Sequence, residues 1–151
     1  MGDIRSVQMS DEERDEFLER GGTGVVSFPR ASDEPPHSIP VSYGYEVDNG
    51  HFYFRLAFGP DSDKSELIDE ETPVSFVTYD QTETGWQSVV ATGKLDEVPE
   101  DELDKSISEA MRQVEIPLVD VFERRPQEVT FRFFQLVPDE LTGRKEARAD
   151  D

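Results

Sequence analysis

The sequence predicts a mainly β fold: a six-stranded, mostly antiparallel barrel with peripheral helices. Three observations carry this. Apolar and aromatic residues alternate in "VSYGYEV" and again in "HFYFRL", with Asp48-Asn49-Gly50 between them. Asn-Gly tolerates the positive φ angles of a tight turn, so this is a strong hairpin signal. The strand-like runs are joined by connections of hairpin length, which suits antiparallel neighbours and not the crossovers of a doubly wound parallel sheet. The helical patterns fall before and between the strands, where they can pack on the outside of a barrel.

Taken in order, "SDEERDEFLERGG" opens with a helix. Ser10 is the N-cap candidate, Glu13 completes a capping box, and Gly21-Gly22 supply the stop. "TGVVSF" (Thr23–Phe28) reads as a strand and "PRASDEPP" as a turn. The hairpin follows. "SDKSELIDEE" reads as a short helix, with Asp63 as cap and Glu66 in its first turn. "PVSFVTYD" (Pro73–Asp80) and "WQSVVATGKLDEV" (Trp86–Val98) are strands. "PEDELDKSISEAMRQV" is a helix that starts near Pro99 and has Leu103, Ile107, Ala110, Met111 and Val114 on one face. "EVTFRFFQLV" (Glu128–Val137) is the last strand, and the sequence from Pro138 reads as a polar tail. Residues 1–151 form one domain, with flexible tails expected at 1–9 and 146–151.

Charge narrows the function classes. The chain of 151 residues carries 35 acidic and 15 basic residues, a formal net charge of −20, and only four of the basic residues are lysines. The acids are spread along the whole chain, so the domain repels itself in dilute buffer. At ~1 M salt the Debye length falls to roughly 3 Å and that repulsion is screened. Acid-rich, lysine-poor chains resemble proteins of salt-in halophiles, especially haloarchaea. An acidic surface is a poor match for nucleic acid, whose binding requires cations against phosphate. With no cysteine, disulfides, thiolate metal sites and cysteine nucleophiles drop out. His37 and His51 are the only histidines, and no metal site is expected. No apolar run approaches a membrane span and no signal peptide is visible, so a cytoplasmic location is expected.

"GTGVVS" lacks the third glycine of a dinucleotide fingerprint and enters a strand, the reverse of the strand-to-helix order that motif needs. No Walker A loop or G-x-S-x-G elbow is present. Lys64 stands apart as a basic residue amid Asp61, Asp63 and Glu66. It falls at the predicted start of a helix, where backbone N–H groups and the dipole favour an anion, and Ser62 and Ser65 add hydroxyl donors. That pattern suits either a phosphate monoester or a solvated lysine paired with its acidic neighbours.

"PHSIPVSYGYEVDNGHFYFRLAFGPDSDKSELI", "TPVSFVTYD" and "WQSVVATGKLDEV", in this order and spacing, resemble the pyridoxamine 5'-phosphate oxidase-like family of FMN-binding split barrels. "LVPDELTGRK" is similar to the tails of its smaller members. The resemblance runs from about Ser10 to Lys145 and implies a Greek-key-like split barrel, FMN as cofactor and a homodimer with FMN at the interface. It implies that Arg55, Leu56 and Ala57 run beside the flavin, mostly through backbone, with Arg55 a candidate contact near N1/O2. Ser62, Lys64 and Ser65 match the phosphate-binding loop. Gln87 and Ser88 match the strand that contacts the flavin at the interface, and Trp86 packs near the cofactor or fills the interface. His37 is read as structural, and no catalytic acid or base is assigned. The implied activity is oxidoreduction of an unidentified small molecule, with a reductant such as NAD(P)H. Other readings are a non-catalytic flavin module for storage or stress protection, and a related barrel holding deazaflavin (F420) or heme. The sequence departs from the true oxidases after Arg125-Pro126: "QEVTFRFFQLV" has no Trp, and no histidine follows His51. That argues against pyridoxal-phosphate synthesis.

Overall fold

A computed structural model of the chain describes residues 4–58, 71–99 and 130–148. Its elements are β1 (Ile4–Gln8), α1 (Asp11–Glu19), β2 (Gly22–Phe28), β3 (His37–Glu46), β4 (His51–Phe58), β5 (Val74–Thr82), β6 (Gly85–Glu97) and β7 (Thr130–Arg148). The strands are ordered β1-β7-β4-β3-β2-β5-β6, and β6 pairs back onto β7. Six strands therefore close a barrel, with β1 added outside it, and every pairing is antiparallel. Closure leaves those six strands few unpaired edges.

The barrel interior is aromatic. Phe76 is fully buried, and its ring lies 5.3 Å from Tyr43, 5.3 Å from Phe52 and 5.0 Å from Phe54. The alternation in the hairpin has the expected meaning: Val41, Tyr43, Tyr45, Phe52, Phe54 and Leu56 all belong to the core. The turn differs in detail. Only Gly50 takes positive φ, at 72°. Asn49 serves through its side chain, whose Oδ1 accepts from the His51 N–H at 2.9 Å, while Gly50 N–H donates to Glu46 O at 2.8 Å.

Helix α1 begins as its sequence dictates. Ser10 Oγ accepts from Glu13 N–H, and Glu13 Oε1 accepts from Ser10 N–H, both at 3.2 Å. Gly21, at φ 68°, ends it. Phe17 and Leu18 are buried in the core. Two polar contacts hold the helix to the barrel. Tyr45 Oη donates to Asp15 at 2.9 Å, and Asp15 also receives Arg14. Glu13 pairs with Lys145 of β7. Burial and the Asp15 carboxylate push the Tyr45 hydroxyl up to about 12.

Near both ends the described residues form strands where the sequence reads as tail. Ile4–Gln8 is a strand, and Met9 is buried. The chain from Pro138 to Arg148 continues β7 rather than forming a polar tail. Its side chains are polar because one face is exposed; what orders it is the backbone, paired with β6 on one edge and β1 on the other. Pro138 interrupts the ladder at a bulge opposite Thr92 and Gly93, a position that tolerates a missing N–H. Gly93 is required there, since a Cβ would lie 2.2 Å from Val137 O. The helices predicted at 63–71 and from Pro99 lie, apart from Glu71 and Pro99 themselves, outside the described residues.

Candidate functional site

The strand register fixes where the sequence-predicted residues stand. On β4, Phe52, Phe54 and Leu56 face the core, so Arg55 projects from the outer wall. Arg55 is part-buried and lies opposite Phe133 of β7. Leu56 is 4% exposed and turns inward, so only its backbone can meet a ligand on the wall. Ala57 pairs with Phe131. Ser62, Lys64 and Ser65 lie outside the described residues.

Trp86, Gln87 and Ser88 open β6, just after the β5–β6 turn, and they do come together. With Tyr79, Arg5, Ser6, Arg144, Lys145 and Glu146 they line a groove of about 410 Å³. Trp86 is 47% exposed and Tyr79 63%, with ring centroids 6.0 Å apart. Two contacts order the groove. Trp86 N–H donates to Glu146 Oε1 at 3.1 Å. Arg144 donates from Nε to Ser6 Oγ and from Nη2 to Ser6 O, both at 2.8 Å, which fixes its guanidinium plane. Three cations and one carboxylate line this groove. The neighbouring groove, between α1 and the β5–β6 turn, reverses that balance with Glu13, Glu16 and Glu83 against Arg20. In a chain of net charge −20 a groove richer in cations than in acids is a local exception.

The structure does not bring Arg55 to Gln87. Arg55 is opposite Phe133 and Gln87 opposite Lys145, so about twelve residues of β7 separate them, a contour of roughly 40 Å at ~3.3 Å per residue.

Tyr79, Arg5, Arg144 and Lys145 escaped the sequence reading. Tyr79 was read only as part of a strand. The others were assigned to tails, although the alternation of "ELTGRKEA" could have suggested a strand. His37, read as structural, accepts through Nδ1 from Arg30 Nη2 at 3.0 Å at the start of β3. Tyr43 is 1% exposed inside the barrel, and burial raises its pKa. Among the described residues, no group of three or more His, Cys, Asp or Glu could hold a metal ion, and no helix is long and apolar enough to cross a membrane.

A second surface adjoins the groove. Val25 pairs with Val77, and Val77 with Val90, so the three share one outer face across β2, β5 and β6. They are 37%, 37% and 41% exposed. Tyr79 and Trp86 lie at the turn end of the same face.

Solved structures share this fold. A protein of Corynebacterium glutamicum with a provisional assignment as a pyridoxamine 5'-phosphate oxidase is 26% identical, with TM-score 0.65 over 95% of this chain and 99% of the other. The FAD binding protein of Mycobacterium smegmatis is 18% identical, with TM-score 0.63 over 94% and 98%. An FAD and heme binding protein of the same organism is 14% identical, with TM-score 0.59 over 93% and 72%. No curated protein matches the chain. The family profile described as pyridoxamine 5'-phosphate oxidase matches residues 10–145. The chain thus belongs to the pyridoxamine 5'-phosphate oxidase-like family, a family of barrels that includes flavin-binding proteins.

Proposed function

We propose that the protein binds FMN at the junction of two copies of the chain and acts as an oxidoreductase on a small molecule. The observation that carries this reading is the separation of Arg55 from Gln87 along β7. If both contact one flavin, they come from different chains. The valine face on β2, β5 and β6 is an exposed apolar patch beside the groove, the kind of surface that marks a protein interface. A second copy seated there would set its own β4 wall across from Trp86, Gln87 and Ser88.

The residues present fit a flavin. Gln87 and Ser88 offer hydrogen-bonding groups beside the Trp86 ring, and the groove they open into is richer in cations than in acids. Bound flavin would supply hydride chemistry. This chain's own part is to hold and orient: Arg55 as positive charge beside the ring, and Ser62, Lys64 and Ser65 on the phosphate. A small-molecule substrate and a reductant such as NAD(P)H complete the reading, and the acid coat fits a high-salt cytoplasm. The deciding experiment is the visible spectrum of the purified protein with mass spectrometry of the released ligand. An FMN spectrum and mass support the reading; a colourless protein that takes up no flavin at any salt concentration overturns it.

The heme reading has its own observation in the FAD and heme binding relative. Here an imidazole ligand could come only from His37 or His51, and His37 Nδ1 is already engaged by Arg30. A Soret band in the same spectrum would favour heme.

A further inference from the structure

We infer that the groove between β1, the start of β6 and the end of β7 is a nucleotide subsite, which takes a planar base on Trp86 and Tyr79 and its phosphate on Arg144 and Arg5. The inference deepens the flavin reading: it extends the site beyond Gln87 and Ser88 and rests on that reading for the flavin itself. FMN has one phosphate, which the family resemblance gives to Ser62, Lys64 and Ser65. Arg144 and Arg5 are then a second anion site, suited to a ligand with a second phosphate-bearing half. That chemistry has two sources: the adenylate half of a flavin dinucleotide, or that of a nicotinamide dinucleotide reductant.

Surface cost and charge both favour a ligand here. Two large aromatic side chains, 47% and 63% exposed, on a chain otherwise coated with carboxylates, are costly unless something covers them. The valines on the same face suit a protein partner, but the turn end of the face is different. There Trp86 and Tyr79 adjoin Ser88, Arg144 and Arg5 rather than more aliphatic side chains. Aromatic rings beside arginine are how proteins hold a base and its phosphate without a fingerprint motif. Arg144 is set for the role, since Ser6 fixes its guanidinium plane. The one carboxylate in the lining, Glu146, is engaged by the Trp86 backbone N–H. Lys145 is paired with Glu13, which leaves the anion to the two arginines.

Trp86 is the only tryptophan, so its fluorescence reports directly on this groove. The probe is ADP, with adenosine as the comparison that lacks phosphate, titrated at a salt concentration where the protein is fully folded. ADP should quench Trp86 saturably. Arg144→Ala should weaken ADP by about tenfold or more, the scale of one charge-assisted hydrogen bond, and leave adenosine unchanged. Arg5→Ala, on an exposed side chain, provides a second variant should loss of the Ser6 contact disturb folding. Parallel flavin titrations identify the source. An FAD-over-FMN preference that Arg144→Ala abolishes assigns the subsite to a flavin dinucleotide. Equal FAD and FMN affinity, with NADPH displacing ADP, assigns it to the reductant. Either result upholds the inference. FMN binding without saturable ADP quenching overturns the inference and leaves the flavin reading standing. ADP binding without FMN does the reverse. ADP affinity unchanged in both variants also overturns it.

Discussion

A flavin site shared between two chains predicts subunit complementation. Two defective proteins are made, Arg55→Ala and the double variant Trp86→Ala/Gln87→Ala. In a two-fold dimer each site would take Arg55 from one chain and Gln87 from the other. Either homodimer then has both sites damaged. A mixed dimer has one site that lacks both contributions and one that is intact. Unbiased exchange makes about half the dimers mixed, so about a quarter of all sites regain full affinity. The contrast is large enough to measure: loss of a charge-assisted contact at Arg55 costs about 1.5–3 kcal/mol, or roughly 10–100-fold in affinity. The structural basis is the register, which puts Arg55 opposite Phe133 and Gln87 opposite Lys145. The two variants are unfolded and refolded together, and mixed dimers are confirmed by native mass spectrometry. FMN is then titrated by quenching of flavin fluorescence, at a concentration between the wild-type and variant dissociation constants. If confirmed mixed dimers titrate as the average of the two parents, with no tight class, the shared-site reasoning is wrong.

Four further outcomes are expected. Phe76→Ala removes the ring that touches Tyr43, Phe52 and Phe54, and should cost about 3–5 kcal/mol in urea unfolding at fixed salt; a loss below about 1.5 kcal/mol would mean the core collapses around the gap. Gly93→Ala sets a Cβ against the Val137 carbonyl at the β6–β7 bulge and should cost about 1–3 kcal/mol, whereas Thr92→Ala next to it should be nearly neutral by the same unfolding assay. The Lys145 contact, followed by the Ser10 N–H, holds the Glu13 carboxyl below its usual 4.5; its stabilisation is present above that pH and lost as pH falls through the lowered value, so Glu13→Gln should flatten the acid limb of a melting-temperature profile and change little else. FMN affinity should rise with salt until repulsion between the phosphate and the acidic surface is screened; a steady fall, in protein shown by circular dichroism to stay folded, contradicts the electrostatic reading.

Much of the barrel was legible because its signals are local. Alternation places Val41, Tyr43, Tyr45, Phe52, Phe54 and Leu56 on one face whatever they pack against, and the structure puts all six in the core. The capping box at Ser10 and Glu13 needs only four consecutive residues. Failure came where order is imposed from outside. Ile4–Gln8 and Pro138–Arg148 have little apolar pattern of their own; the first is a strand because β7 satisfies its backbone, the second because β6 and β1 do. The site divides in the same way. Trp86, Gln87 and Ser88 could be named from the family resemblance, and the structure sets all three along one groove. Arg5, Arg144 and Lys145 could not, because roughly 140 residues separate Arg5 from the others until β1 pairs with β7.

The sequence by itself determined the barrel class, the helix start at Ser10, the aromatic core and the acidic surface, all of which follow from neighbour-to-neighbour periodicity and composition. Only the tertiary structure decided that β6 and β7 close the barrel and that β1 completes the groove. It alone placed Arg55 and Gln87 far apart on one chain. Those facts depend on which strands share hydrogen bonds and in what register, a long-range choice that no short window of residues encodes.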